Sequence, residues 1–315
     1  DMLVVNLADV GIDEKLWPDP GSMNVELGKM GFKVMISCWP RLPKASSDFN
    51  ALDSKGCFVK DQEGRAVLGP GQEKRGAWID ITKQECGAWF WNAIQKNYAS
   101  KGFTSWWLDD SQPDMPPDSF FFEKGAGARI FNLYPLMQAR AVYEGHRQDI
   151  KERCLILSRS AYLGAQTYGT TFRSSDIDPQ WDVLKRQIPA GLNFAASGLA
   201  YWSSDIGGSG AGRDSVDYRE LLVRWFEYGA FCPTFRTCGA QPENEVWSYG
   251  EAAEKILVKY LQLRYRLLPY IYSLAHSVTE TGAPFMRALF MDFPQDPEVR
   301  DLKDEYMFGP AFLVA

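Results

Sequence analysis

Polar residues able to do chemistry recur in this 315-residue chain directly after short apolar runs. Asn6 sits near the end of the run 2–7, Trp39 follows 33–38, Asp109 follows 103–108 and Arg159 follows 153–158. Asp205 stands just past 198–202, and Arg236 just past 230–235. Asp176 lies further along the stretch after Arg159. Short apolar runs rich in β-branched and aromatic residues read as buried strands, so a polar residue at their end sits on a rigid tip. Two carboxyl groups held this way can cleave a glycosidic bond. One attacks the anomeric carbon while the other protonates the leaving oxygen, and a retaining enzyme keeps them roughly 5–5.5 Å apart. Trp39, Trp106, Trp107, Trp202 and Trp247 stand near carboxylates, and sugars offer flat C–H faces to such rings. A single strand-end Asp reads equally well as a helix cap. Several of them, interleaved with Arg and Trp, favour a site.

The elements that must position these groups alternate. Expected strands cover 2–7, 33–38, 103–108, 153–158, 198–202, 230–235 and 284–290. Amphipathic helices are expected over 22–30, 83–99, 131–150, 179–195, 215–227 and 251–281. Such βαβα order argues for an α/β fold with a parallel sheet covered by helices. Seven strands fall one short of an eight-stranded (β/α)8 TIM barrel, in which strand ends converge on one mouth. A first strand upstream of Asp1 would complete it. An open doubly wound sheet fits the alternation too, although no GxGxxG opens a helix after the first strand. Segment 40–76 is polar and aperiodic and reads as an insertion, while the glycine-rich stretch 207–212 reads as a loop.

Composition excludes several classes. A 45% hydrophobic content is that of a globular chain, not a disordered one. The net charge of −6, with signs interspersed, leaves no basic stripe for nucleic acid. No apolar run reaches the ~18 residues of a membrane span. Two histidines, His146 and His276, make a His-rich metal site or a Ser-His-Asp triad a poor expectation. The six cysteines (Cys38, Cys57, Cys86, Cys154, Cys232 and Cys238) lack CxxC spacing, and buried free thiols are expected rather than a disulfide framework.

Four motifs then carry a resemblance. WWLDDSQPD (106–114) resembles the WWLDxxEP motif of glycoside hydrolase family 31, in its α-xylosidase and α-glucosidase branch. LSRSAYLGAQTYGTTFRSSDI (157–177) is similar to the family segment that runs from a sugar-binding Arg to WSGD. QIPAGLNFAASGLAYWSSDIGG (187–208) and RWFEYGAFCPTFRTCG (224–239) resemble QIPAGLNFSLSGIPYWTTDIGG and RWFQFGAFCPLFRSHG. The likeness runs through the whole chain in order. It implies a catalytic (β/α)8 barrel over 1–300, entered at its second strand, and the start of a C-terminal β-domain over 301–315. It also implies a retaining, exo-acting α-glycosidase for terminal α-xylosyl or α-glucosyl residues of oligosaccharides, with no metal or organic cofactor. Carried over residue by residue, Asp109 would be the nucleophile and Asp176 the general acid/base. Asn6, Trp39, Trp107, Gln112, Arg159, Arg173, Trp202, Asp205, Arg236 and Cys238 would line the sugar site. The partner is then an oligosaccharide, with neither nucleic acid nor membrane; the compartment, cytoplasm or periplasm, stays open.

Four of these positions, and Ser175 beside them, depart from the family pattern. Asn6 stands for a sugar-binding Asp, Gln112 for the Glu of EP, and Cys238 for the His of HG. Arg173 and Ser175 replace the Trp and Gly of WSGD. Asn6 and Gln112 keep shape but lose charge, which weakens a hydrogen bond from roughly 1.5–3 kcal/mol to about 1. Arg173 beside an acid/base Asp suggests an anionic group on the substrate, unless the guanidinium points elsewhere. A transglycosylase of the same family and a non-catalytic carbohydrate-binding relative are the alternative readings.

Overall fold

A computed structural model describes residues 1–5, 11–13, 15–68, 75–111, 113, 115–209, 216–237 and 245–315. Asn6, Gln112 and Cys238 lie outside the described residues, as do residues 210–212 of the stretch 207–212. The chain forms two compact units, Asp1–Thr170 and Thr171–Ala315.

The first unit is built on parallel strands β1 (Met2–Val5), β2 (Lys33–Ser37), β3 (Ser105–Leu108) and β4 (Leu155–Ser158), adjacent in that order. Registers run Val5↔Ile36, Ser37↔Trp107 and Trp107↔Leu157. Helices α1 (Pro20–Lys29), α2 (Gln84–Asn97) and α3 (Tyr134–Asp149) follow β1, β2 and β3. Parallel neighbours need such crossovers, because a tight turn cannot return the chain in the same direction. The helix α1 begins where predicted chemistry allows: Asp19 accepts from the Ser22 N–H at 2.9 Å, with Pro20 at the first position.

Strand alternation sorts the tryptophans of β3. Trp106 faces the helices, stacked edge-on against Trp91 of α2, and its Nε1 donates to His146 Nδ1 at 3.1 Å. Trp107 points to the opposite face, where it packs with Met35 of β2 and Leu157 of β4. Asp109, two residues on, shares the parity of Trp107. Gly145 of α3 lets the two helices meet, since a Cβ there would stand 2.2 Å from the Trp91 ring.

The 40–76 insertion is an ordered structure where it is described. Arg41–Leu42 pairs antiparallel with Ala77–Trp78, and a short helix spans Phe49–Ser54. A disulfide joins Cys57 of this segment to Cys86 in the first turn of α2, both buried. This corrects the expectation of free thiols: the two cysteines are brought together by folding across 29 residues, with no local motif to announce it. Cys38, Cys154 and Cys232 are free.

The second unit opens on β5 (Thr170–Arg173), which pairs parallel with β6 (Trp202–Ser203) through Phe172↔Trp202. Helices α4 (Trp181–Ala196), α5 (Val216–Ala230) and α6 (Glu251–Thr281) surround a core that includes Trp202, Trp225 and Leu257. The run 230–235, expected as a strand, is instead the end of α5 and an irregular segment. Pro233 lacks an N–H for a ladder. Thr234 N–H still bonds Trp202 O at 3.1 Å, and Ile206 N–H bonds Arg236 O at 3.1 Å, so the segment tracks β6. Arg264 of α6 holds it from behind, donating to the carbonyls of Ala230, Cys232 and Pro233 at 3.1, 2.5 and 2.7 Å. These include orphan acceptors of a helix end, which always need a partner. The run 284–290 also differs from expectation. Its strand, β7 (Met286–Ala288), is antiparallel to β8 (Tyr306–Phe308), which pairs with β9 (Phe312–Val314).

Candidate active site

In the first unit Asp109 emerges from β3 and is 7% exposed. Its Oδ1 lies 3.7 Å from Nη1 of Arg159, which follows the adjacent strand β4. The register of β3 and β4 makes this pairing possible, since Leu108↔Ser158 puts the next residues of both strands side by side. Trp39, at the end of β2, is nearly buried, and the guanidinium of Arg75 stands 4.9 Å from its ring centroid. Cys38 N–H bonds Trp107 O at 2.7 Å, which ties the ends of β2 and β3 together beneath Trp39.

Two residues of this cluster were not among the sequence candidates. Arg41 is fully buried, with its guanidinium carbon 3.5 Å from the Trp78 ring centroid. Its Nε stands 3.2 Å from Asp110 Oδ2, and its Nη2 donates to Leu68 O at 3.2 Å. Asp110 holds a left-handed backbone (φ 50°), uncommon outside Gly but tolerated by Asp and Asn. Burial pushes the Asp110 carboxyl above its usual range, and Asp109 adds to the rise, while Arg41, Arg159 and Arg75 oppose it. The doubled Asp at 109–110 was the one signal available; its arginine lies in the distant insertion.

In the second unit Arg173, Asp176, Asp205 and Arg236 come together. Asp205 follows β6 and is fully buried. Arg173 Nη1 donates to its Oδ2 at 2.7 Å, and Arg236 Nη1 donates to its Oδ1. The same Arg173 nitrogen reaches Asp176 Oδ1 at 3.3 Å. Asp176 itself is 67% exposed at its side chain, on a turn where Ser175 is left-handed (φ 72°). The turn is laced to the following loop. Ser174 N–H bonds Ser203 O, Asp205 N–H bonds Ser174 Oγ, and Ile177 N–H bonds Ser209 Oγ. Arg173 is 3% exposed. The notion that it greets an anionic substrate group meets a guanidinium turned toward two carboxylates of its own chain.

Trp202 occupies a core position. It is buried against Phe194, ring centroids 4.8 Å apart, and a Cβ on Gly191 would stand 2.8 Å from its ring. Trp247 lies in a short helix (Val246–Tyr249) and is exposed. Among the described residues, Cys57, Glu85 and Cys86 are the donors close enough to share a cation, and two of the three are spent on the disulfide. No helix of the described residues is long and apolar enough to cross a membrane.

Comparison with known proteins gives this arrangement its context. Residues 2–274 match the TIM-barrel domain of glycosyl hydrolases family 31, and residues 282–315 match the family's C-terminal domain. The chain is 39% identical over 312 residues to an alpha-xylosidase of Saccharolobus solfataricus, covering 96% of this chain and 41% of that protein. It is 30% identical to alpha-xylosidase A of Aspergillus niger, covering 98% and 49%. The chain thus spans less than half the length of either relative. Among solved structures, a family 31 alpha-xylosidase from a soil metagenome, complexed with xylose, superposes with a TM-score of 0.94 at 32% identity. It covers 100% of this chain and 51% of that one. A family 31 dextranase of Flavobacterium johnsoniae, complexed with glucose, gives 0.91 at 28% identity, covering 100% and 42%. The parallel strands with their crossover helices are therefore part of a (β/α)8 barrel, and the chain belongs to glycosyl hydrolase family 31.

Proposed function

We propose that this chain carries the catalytic centre of a retaining, exo-acting α-glycosidase that removes terminal α-xylosyl or α-glucosyl residues. Asp109 is the nucleophile and Asp176 the general acid/base. The observation that carries the reading is Asp109 itself. It is a nearly buried carboxylate at the tip of a central parallel strand, beside the arginine that ends the next strand. In barrels of this kind the strand tips hold the chemistry.

The reaction runs in two displacements. An Asp109 oxygen attacks the anomeric carbon as the bond to the leaving oxygen breaks, and Asp176 transfers its proton to that oxygen. The glycosyl group is then esterified to Asp109. Asp176, now a carboxylate, takes a proton from water, and the water oxygen attacks the same carbon and frees Asp109. Two inversions give net retention. Asp109 suits a nucleophile because its strand holds it in one position. Asp176 suits a proton donor because its exposed turn can meet leaving groups of varied size. Trp39, Trp107, Arg159 and Arg236 are assigned to the sugar, together with Asn6, Gln112 and Cys238. Arg173 has a carboxylate partner in Asp205, which favours a neutral sugar over one bearing an acid group.

The names of the relatives favour xylose first. A panel of p-nitrophenyl α-glycosides, neutral and uronic, tests the substrate. Labelling with a mechanism-based fluoroglycosyl fluoride, followed by peptide mass mapping, tests the nucleophile. Label on any residue other than Asp109 would end the assignment.

A further inference from the structure

We infer that Arg173 is a positioning residue for Asp176, anchored by the buried Asp205–Arg236 pair. The inference rests on the proposed acid/base role of Asp176. Asp176 has little else to fix its carboxyl. It is mostly exposed, on a turn that passes through a left-handed serine. A general acid must stay within hydrogen-bond reach of the leaving oxygen. Arg173 supplies the missing constraint. Its Nη1 carries two hydrogens, one directed to Asp205 Oδ2 at 2.7 Å and the other to Asp176 Oδ1 at 3.3 Å.

The anchor is firm because Asp205 is fully buried and its other oxygen is taken by Arg236. Its backbone N–H is bonded to Ser174 Oγ, on the very turn that carries Asp176. Arg173 thus already faces the carboxyl groups of Asp205 and Asp176, and Arg236 shares Asp205 with it. A planar guanidinium can bridge two carboxylates in fixed geometry, which a lysine ammonium on a flexible stem cannot. The sequence departure at position 173 is thus a support for the proton donor, and Asp205 is its strut.

The experiment compares the parent with Arg173→Lys, Arg173→Met and Asp176→Ala. Each is assayed for kcat/KM on the p-nitrophenyl and the methyl α-glycoside of the sugar the parent cleaves. The methyl leaving group needs protonation; the nitrophenolate hardly does. General acid catalysis contributes about 10²–10⁴-fold. Asp176→Ala should therefore lose about that factor more on the methyl glycoside. The Arg173 variants should show the same preference at reduced scale, on the order of 10-fold. Equal losses on both substrates, or no loss, in Arg173→Lys would overturn the inference, because a merely structural role moves both alike. Circular dichroism confirms folding; if Arg173→Met does not fold, Arg173→Lys decides by the same ratio. An Asp176→Ala enzyme without leaving-group preference would instead refute the acid/base assignment.

Discussion

Replacing Asp110 with Asn would leave the fully buried Arg41 without the carboxylate now 3.2 Å from its Nε. At that separation and an effective dielectric constant of about 20, the attraction is about 5 kcal/mol. Desolvation opposes it, and here burial is the larger influence on Asp110, whose carboxyl is pushed upward despite Arg41. The intact pair therefore adds little net stability, while its halves fail differently. Arginine cannot shed its proton. It keeps its bond to Leu68 O, and Asn imitates the protonated carboxyl that burial already favours, so Asp110→Asn should cost little, and less still as pH rises, because the parent loses stability as Asp110 ionises and Asn does not titrate. Asn keeps the left-handed backbone, so the loss reports charge and not strain. Arg41→Met leaves a carboxyl that can protonate. Its folded pKa then lies still further above the unfolded value of about 3.9. Between those two values the folded state holds more protons than the unfolded one, so stability falls as pH rises, by about 1.4 kcal/mol per unit. Arg41→Met should thus be mild near pH 4 and costly near neutrality, where the double variant should lie closer to the parent than Arg41→Met. Urea midpoints from tryptophan fluorescence at about pH 4.5 and 7.5, on either side of much of that window, measure this. If Asp110→Asn costs as much as Arg41→Met near neutrality, or changes with pH as Arg41→Met does, the reasoning fails.

Asp109→Asn should abolish turnover on every α-glycoside while the melting temperature stays within a few degrees; retained activity would remove Asp109 from the mechanism. Cys57→Ser with Cys86→Ser opens a loop closed across 29 residues, and chain entropy puts the loss at roughly 3.5 kcal/mol in denaturant titration. Recovery of Cys57 and Cys86 in separate peptides under non-reducing conditions would contradict the linkage itself. Gly145→Ala forces a methyl group into the Trp91 ring and should cost about 1–3 kcal/mol, read as a lowered urea midpoint; a neutral result would mean that α2 and α3 can part without penalty. Burial raises the Cys154 thiol to about 12, so iodoacetamide should label it only after denaturation; rapid labelling of the native protein at about pH 8 would show that this burial is wrong.

The sequence by itself set the parallel α/β character and the strand tips that carry Asp109 and Arg159, because apolar runs of strand length repeat between helical stretches. Period-two alternation could also assign Trp106 and Trp107 to opposite faces. It misjudged 230–235 and 284–290, where apolar content is strand-like but the hydrogen-bond partner decides the element. Pro233 thins one ladder, and Tyr306–Phe308 draws the other into an antiparallel sheet. The sequence places Trp202 beside Asp205 but could not show that Phe194 and Gly191 pack against its ring. Only the tertiary structure chose the charge partners: Arg41 for Asp110, and Arg173 with Arg236 for Asp205. It likewise chose Cys57 for Cys86. Local periodicity reports which side of an element a residue occupies. It says nothing about which distant side chain will share its low-dielectric surroundings, and that choice fixes what a buried charge can do.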